Sequence, residues 1–152
     1  MALNTASPTL RTYTVTAENT KTFGRVSSRI RDHELLIDGP IQNGCPGELP
    51  TPGELILAAA ASCGTELLQV LARDTNVPLS QLNVKVVGSV DREQQPRSDV
   101  TVFNLVEFDF ARHGPSAAQA AELVAGFQKR CPVYGSLAVA SQHVIVRHTT
   151  QP

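Results

Sequence analysis

The sequence predicts an α+β fold, with strands and helices segregated along the chain rather than strictly alternating. Three observations predict it. Short alternating segments rich in Thr, Val and Tyr occupy the first forty residues and recur after residue 80. One long helical stretch, uncharged from Leu55 to Cys63, opens at Pro52, and a second helical stretch, from Ser116, is broken at Cys131-Pro132. The whole chain, 1–152, reads as a single domain with a loose N-terminal end closed by Pro8.

Thr9 to Ala17 alternates and reads as the first strand, and Phe23 to Ile30 and Glu34 to Asp38 as two more. Asn43 to Pro52 is dense in Gly and Pro and must be a loop. A helix follows with clear start signals: Thr51 as N-cap, Pro52 at the first helical position and Glu54 completing a capping box. It runs to about Asn76, or about 34 Å at 1.5 Å per residue. Leu55 to Cys63 carries no charge on any side, so this half is expected to be buried all round. One small sheet covers only one side of such a helix, and a homodimer wrapped around it is the expected solution. Leu82 to Asp91 and Val100 to Ala111 read as an antiparallel strand pair across the polar turn Glu93 to Asp99. Ser116 caps a helix through Arg130, Pro132 restarts a short one to about Ala140, and His143 to His148 is a last strand.

Composition excludes several classes. Hydrophobic residues make up 41% and charged residues 18%, which is globular rather than disordered. Net charge is −1 with no basic block, which argues against nucleic acid as a partner. The chain opens without a basic and then apolar leader, and its longest unbroken apolar run, Leu55 to Ala61, is too short for a membrane span. A cytoplasmic location is expected. The three cysteines, Cys45, Cys63 and Cys131, form no CxxC pair and no zinc-finger spacing, so no metal is expected. They are either inert thiols or contain a reactive pair.

Cys63 lies mid-helix in A-A-A-S-C-G, where the neighbours are small and Gly64 costs about 1 kcal/mol of helix propensity. A buried structural thiol explains it as well as a nucleophile does. Cys131 stands at the N-cap of the short helix behind Lys129 and Arg130, a setting that favours a thiolate. Cys45, in N-G-C-P-G, reads as an incidental loop thiol. Glu66, three residues after Cys63, shares its helical face. Arg25, Arg29 and Arg31 are candidate cations, and His143 and His148 face opposite sides of one strand.

Taken in order, His33-x-Leu35-x-Ile37-Asp38-x-Pro40, the Gly-containing loop, Thr51-Pro52-x-Glu54-Leu55-Ile56-Leu57-Ala58-Ala59, Ala61-Ser62-Cys63 and finally Cys131-Pro132-Val133 resemble the OsmC/Ohr family. Those are the osmotically inducible and organic hydroperoxide resistance proteins, and the likeness is closest to their less characterised OsmC-like branch. The resemblance implies an intertwined homodimer with antiparallel sheets around a long central helix and active sites between subunits. It implies a thiol peroxidase in which Cys63 is oxidised by an organic hydroperoxide and Cys131 resolves it, with a dithiol reductant resetting the pair and no cofactor. It also implies an arginine, assigned to Arg29, and a helix-start carboxylate. The family places that glutamate directly after the proline, where this chain has Gly53, and Glu54 follows. Two other classes fit the same residues: a binding module for a small hydrophobic or thiol-bearing ligand, and a purely structural dimer.

Overall fold

The structure is a computed structural model that describes residues 9–151. The expected loose end closed by Pro8 lies outside the described residues. The chain divides into two compact units, Met1–Glu54 and Leu55–Pro152.

The first unit is a three-stranded antiparallel sheet, β1 (Thr16–Asn19), β2 (Arg25–Ile30) and β3 (His33–Asp38), in that spatial order. The first strand begins seven residues later than the alternation suggests. The six residues of β2 offer partners only from Thr16 to Asn19, and Tyr13 and Val15 find no surface to cover, being 81% and 57% exposed. Strands β2 and β3 are joined at Arg31-Asp32, with Arg31 in the left-handed region at φ 55°. This tight register sets Arg25 opposite Asp38.

Asp38 is the unit's anchor. Its fully buried carboxylate accepts from Arg25 Nε at 2.8 Å and Nη2 at 2.9 Å. It also accepts the backbone N–H groups of Glu48 and Leu49, at 3.0 and 3.2 Å. Glu48 closes the network on Arg25 at 2.8 Å. The Gly/Pro loop is thereby tied to the sheet, and Cys45 fills the space beside Gly24 and Gly39. A Cβ on either glycine would lie 2.4 Å from its sulfur. The loop delivers the chain to α1 (Pro52–Asp74), whose start is the expected capping box: Glu54 accepts from Thr51 N–H at 2.7 Å and from its hydroxyl at 2.8 Å.

In the second unit, β4 (Gln81–Ser89), β5 (Leu105–His113) and β6 (His143–Gln151) form a sheet in that order. Strands β4 and β5 pair antiparallel as expected, but β6 joins β5 in parallel. An all-antiparallel arrangement is therefore wrong here. The helices α2 (Ala117–Arg130) and α3 (Pro132–Ala140) form a crossover that returns the chain in the direction of β5, as parallel pairing requires. Val106, Phe108 and Phe110 of β5 are fully buried and pack with Leu123, Val124 and Phe127 of α2 and Ala60, Leu67, Leu68 and Ala72 of α1. Gly64 lets this contact close tightly, since a Cβ there would lie 3.2 Å from the Phe110 ring. The same β5 row ends in Arg112, fully buried, donating to Phe110 O and His148 Nδ1 with its Nε unpaired.

Helix α1 is not buried all round in the single chain. Its unbroken apolar run is short, but over its full length the helix is long and apolar enough to cross a membrane by length and composition. A buried core helix passes the same test, and here only 28% of the most apolar stretch is covered. The buried positions, Ala60, Gly64, Leu67, Leu68 and Ala72, recur every three or four residues. That is one stripe, the most that a single three-stranded sheet and α2 can cover. Ile56, Ala58, Ala59, Ser62, Glu66 and Gln69 remain exposed.

The Asp38 carboxyl is pushed down to about 2, chiefly by the Arg25 hydrogen bond, with the Glu48 and Leu49 amides adding to it and desolvation opposing. A carboxyl lowered on folding stabilises the folded state fully above its ordinary value of 3.8 and loses that contribution as pH falls toward 2. Thermal melts followed by circular dichroism are expected to show Asp38→Asn less stable than wild type at pH 7. The difference should shrink between pH 4 and 2.

Candidate functional site

The second unit brings two of the sequence-selected residues together. Cys63 sits half-buried on α1, and Cys131 is 3% exposed at the junction of α2 and α3. Their sulfurs are 2.7 Å apart although the residues are separated by 68 positions. Both are free thiols, and the gap is wider than the roughly 2.04 Å of a disulfide bond yet close enough for one to form with little side-chain motion.

Local sequence explains the placement of Cys131. The residue before a proline is driven out of the helical region, and Cys131 accordingly has φ −81° and ψ 112°. It serves as C-cap of α2, donating its N–H to Phe127 O, and as N-cap of α3, where its sulfur accepts the N–H of Tyr134 at 3.3 Å. One of the amides that a helix leaves unsatisfied at its N-terminus is thus taken up by the Cys131 sulfur, while the preceding Val133 amide favours the Cys63 thiolate. The ring of Tyr134 fixes this turn by packing edge-on to Phe108 at 5.5 Å and against Phe127 at 5.2 Å, with its hydroxyl accepting from Gln128. Val133 and Tyr134 were not singled out from sequence, although Cys-Pro opening a helix is the signal that its first amides face the cysteine.

Burial pushes the Cys63 thiol up to about 12, the neighbouring Cys131 sulfur and the Glu66 carboxylate push the same way, and the Val133 amide opposes them. The Cys63 thiol is therefore protonated at neutral pH. Leu57, Val133 and Tyr134 belong to the partly buried apolar shell of the same core cluster as both cysteines.

The other two assignments fall in the first unit. Arg29 stands exposed on β2 opposite Thr16 and Glu34, at a shallow cavity of about 220 Å³ that Glu18 and Ser27 also line. Of the three candidate arginines, Arg25 is the one held by carboxylates, those of Asp38 and Glu48, and the hairpin symmetry about Arg31-Asp32 makes its pairing with Asp38 readable. Glu54 uses its carboxylate on Thr51, which holds it below the usual carboxylate range. Cys45 places its sulfur 3.9 Å from Asn43 O and packs between two glycines, with neither other cysteine in its unit. Among the described residues no cluster of three His, Cys, Asp or Glu is placed to hold a metal ion.

Residues 45–146 match the family model described as OsmC-like protein. No curated protein matches the chain. Solved structures share its fold at low identity. An OsmC-like protein from Mycoplasma pneumoniae is 19% identical with a TM-score of 0.79, covering 93% of this chain and 99% of its own. An organic hydroperoxide resistance protein OsmC from Legionella pneumophila is 20% identical with a TM-score of 0.71, covering 94% and 98%. An OsmC-like protein of unknown function from Vibrio cholerae is 12% identical with a TM-score of 0.75, covering 92% and 100%.

Because Cys131 contributes to the raised Cys63 value, Cys131→Ala is expected to lower it without bringing it to that of a free thiol, since burial is the larger cause. Iodoacetamide labelling of Cys63, followed by peptide mass spectrometry at pH 8, should run several-fold faster in this variant than in wild type. In both proteins the rate should climb about tenfold per pH unit below the thiol's pKa, as thiolate control requires.

Proposed function

The chain belongs to the OsmC-like protein family, and on that premise we propose that its Cys63–Cys131 pair reduces organic hydroperoxides. The observation that carries this reading is the 2.7 Å approach of two free thiols from distant parts of the chain. In the proposed cycle the Cys63 thiolate attacks the hydroperoxide, giving Cys63 sulfenic acid and an alcohol. Cys131 then attacks that sulfur, releasing water and closing the disulfide, and a dithiol reductant restores both thiols.

Several features support the details. The apolar shell around Cys63 favours a bulky organic peroxide over H2O2, because a polar oxidant gains nothing from apolar surroundings. The bare apolar side of α1 supports a homodimer that covers it, and the pair's need to cycle through free thiols suits a reducing, cytoplasmic location. Arg29, with Glu54 as its orienting carboxylate, is carried over as the activating cation from the family resemblance alone.

A specific observation favours a second reading, a binding module for a small hydrophobic or thiol-bearing ligand. The first unit contains a largely apolar cavity of about 380 Å³, lined by Ala17, Val26, Ile37 and Cys45 among others. Buried Ser28 also lines it.

Dithiothreitol-coupled consumption of cumene hydroperoxide separates the two. The peroxidase reading expects turnover that exceeds H2O2 turnover at least tenfold and is lost in Cys63→Ser. With the Cys63 thiol pushed up to about 12, the thiolate fraction and the peroxide step should rise about tenfold per pH unit between pH 7 and 9. Negligible turnover across that range, with a hydrophobic ligand co-purifying, would establish the binding module instead.

A further inference from the structure

The two sulfurs of the pair stand in opposite situations, and a disulfide between them would not be symmetrical. Cys131 is 3% exposed and accepts a backbone N–H from the first turn of the nine-residue helix α3. Cys63 is half-buried and is the more exposed residue of the two. Thiol–disulfide exchange depends on two quantities that are separable here: which sulfur an incoming thiolate reaches, and which departing thiolate is better stabilised.

We propose that recycling is directional, with the reductant thiolate attacking Cys63 Sγ and Cys131 leaving as a thiolate that accepts the Tyr134 N–H at the N-terminus of α3. The inference rests on the thiol–disulfide cycle proposed above and specifies its second half. In the first step the reductant's sulfur bonds to Cys63, the Cys63–Cys131 bond breaks, and its electron pair goes to Cys131. In the second, another reductant thiolate attacks the reductant's sulfur in the mixed disulfide. Cys63 is released and takes up a proton, and the reductant leaves oxidised as its own disulfide.

The same asymmetry governs both steps. The Tyr134 N–H already bonds the Cys131 sulfur, so charge developing there meets a donor in place and the positive end of a helix. Cys63 is the poor leaving group, because burial, Cys131 and the Glu66 carboxylate all disfavour its thiolate. The first exchange is therefore easy and the second hard, and a mixed disulfide on Cys63 accumulates with any reductant that lacks a second thiol to complete the exchange internally.

The test uses the full chain carrying Cys45→Ser, so that only the pair reports. Its disulfide is formed with diamide, which makes the outcome independent of peroxide reactivity. Glutathione, a monothiol, is added briefly, free thiols are blocked with N-ethylmaleimide, and peptides are mapped by mass spectrometry. The expected product carries glutathione on Cys63 and maleimide on Cys131, in at least tenfold excess over the reverse. The reverse product, an even mixture, or no Cys63–Cys131 disulfide after diamide would overturn the proposal. Directional exchange in a protein that fails to turn over cumene hydroperoxide would instead leave it standing and remove only the peroxidase reading.

Discussion

The dipeptide Cys131-Pro132 is the constraint on which the candidate site depends. Proline cannot continue α2, and it forces the preceding residue into extended geometry. It is also well suited to open α3, since its missing N–H is one that a helix would leave unpaired anyway. One residue therefore ends a helix, starts another and makes Cys131 the cap of both. The consequences are chemical. The sulfur of Cys131 accepts the Tyr134 amide in the first turn of α3, and it meets Cys63 because α1 and α2 pack on the same face of the β4–β5–β6 sheet. The ring of Tyr134, clamped by Phe108 and Phe127, keeps that turn in place.

The first unit rests on different physics. A buried carboxylate is costly unless its lone pairs are occupied. Asp38 meets that condition with a forked Arg25 and two backbone amides from the loop that follows. The return is conformational. A stretch rich in Gly and Pro, which would otherwise have many states, is pinned at Glu48 and Leu49 and leads directly into the Thr51 capping box. The glycines at 24 and 39 are required because Cys45 occupies the space where side chains would be. That packing role accounts for the third cysteine without redox chemistry.

Much of this was legible in the chain because local chemistry set it. The capping box at Thr51, the break at Cys131, the short helix from Pro132 to Ala140 and the β4–β5 pair all follow from nearest-neighbour rules. The misreadings share a cause, which is that they depended on long-range partners. Tyr13 and Val15 alternate like strand residues but have no neighbouring strand. The parallel placement of β6 is dictated by the crossover, not by its own alternation. The first half of α1, Leu55 to Cys63, carries no charge on any side, but what covers a face cannot be read from the face itself. Cys63 and Cys131 were recognisable as motifs, whereas the amides of Val133 and Tyr134 belong to the backbone and leave no mark in side-chain patterns. Arg25, Arg29 and Arg31 look alike in the sequence pattern, and only the hairpin register sets Arg25 opposite Asp38.

If Cys63 and Cys131 form the redox pair, peroxide oxidises them and leaves Cys45 untouched. The decisive measurement counts free thiols in the unfolded protein before and after one equivalent of cumene hydroperoxide, with peptide mapping of the oxidised form. The expected result is a fall from three free thiols to one, with Cys45 remaining and Cys63 joined to Cys131. Three thiols persisting, or a linkage involving Cys45, would refute the pair.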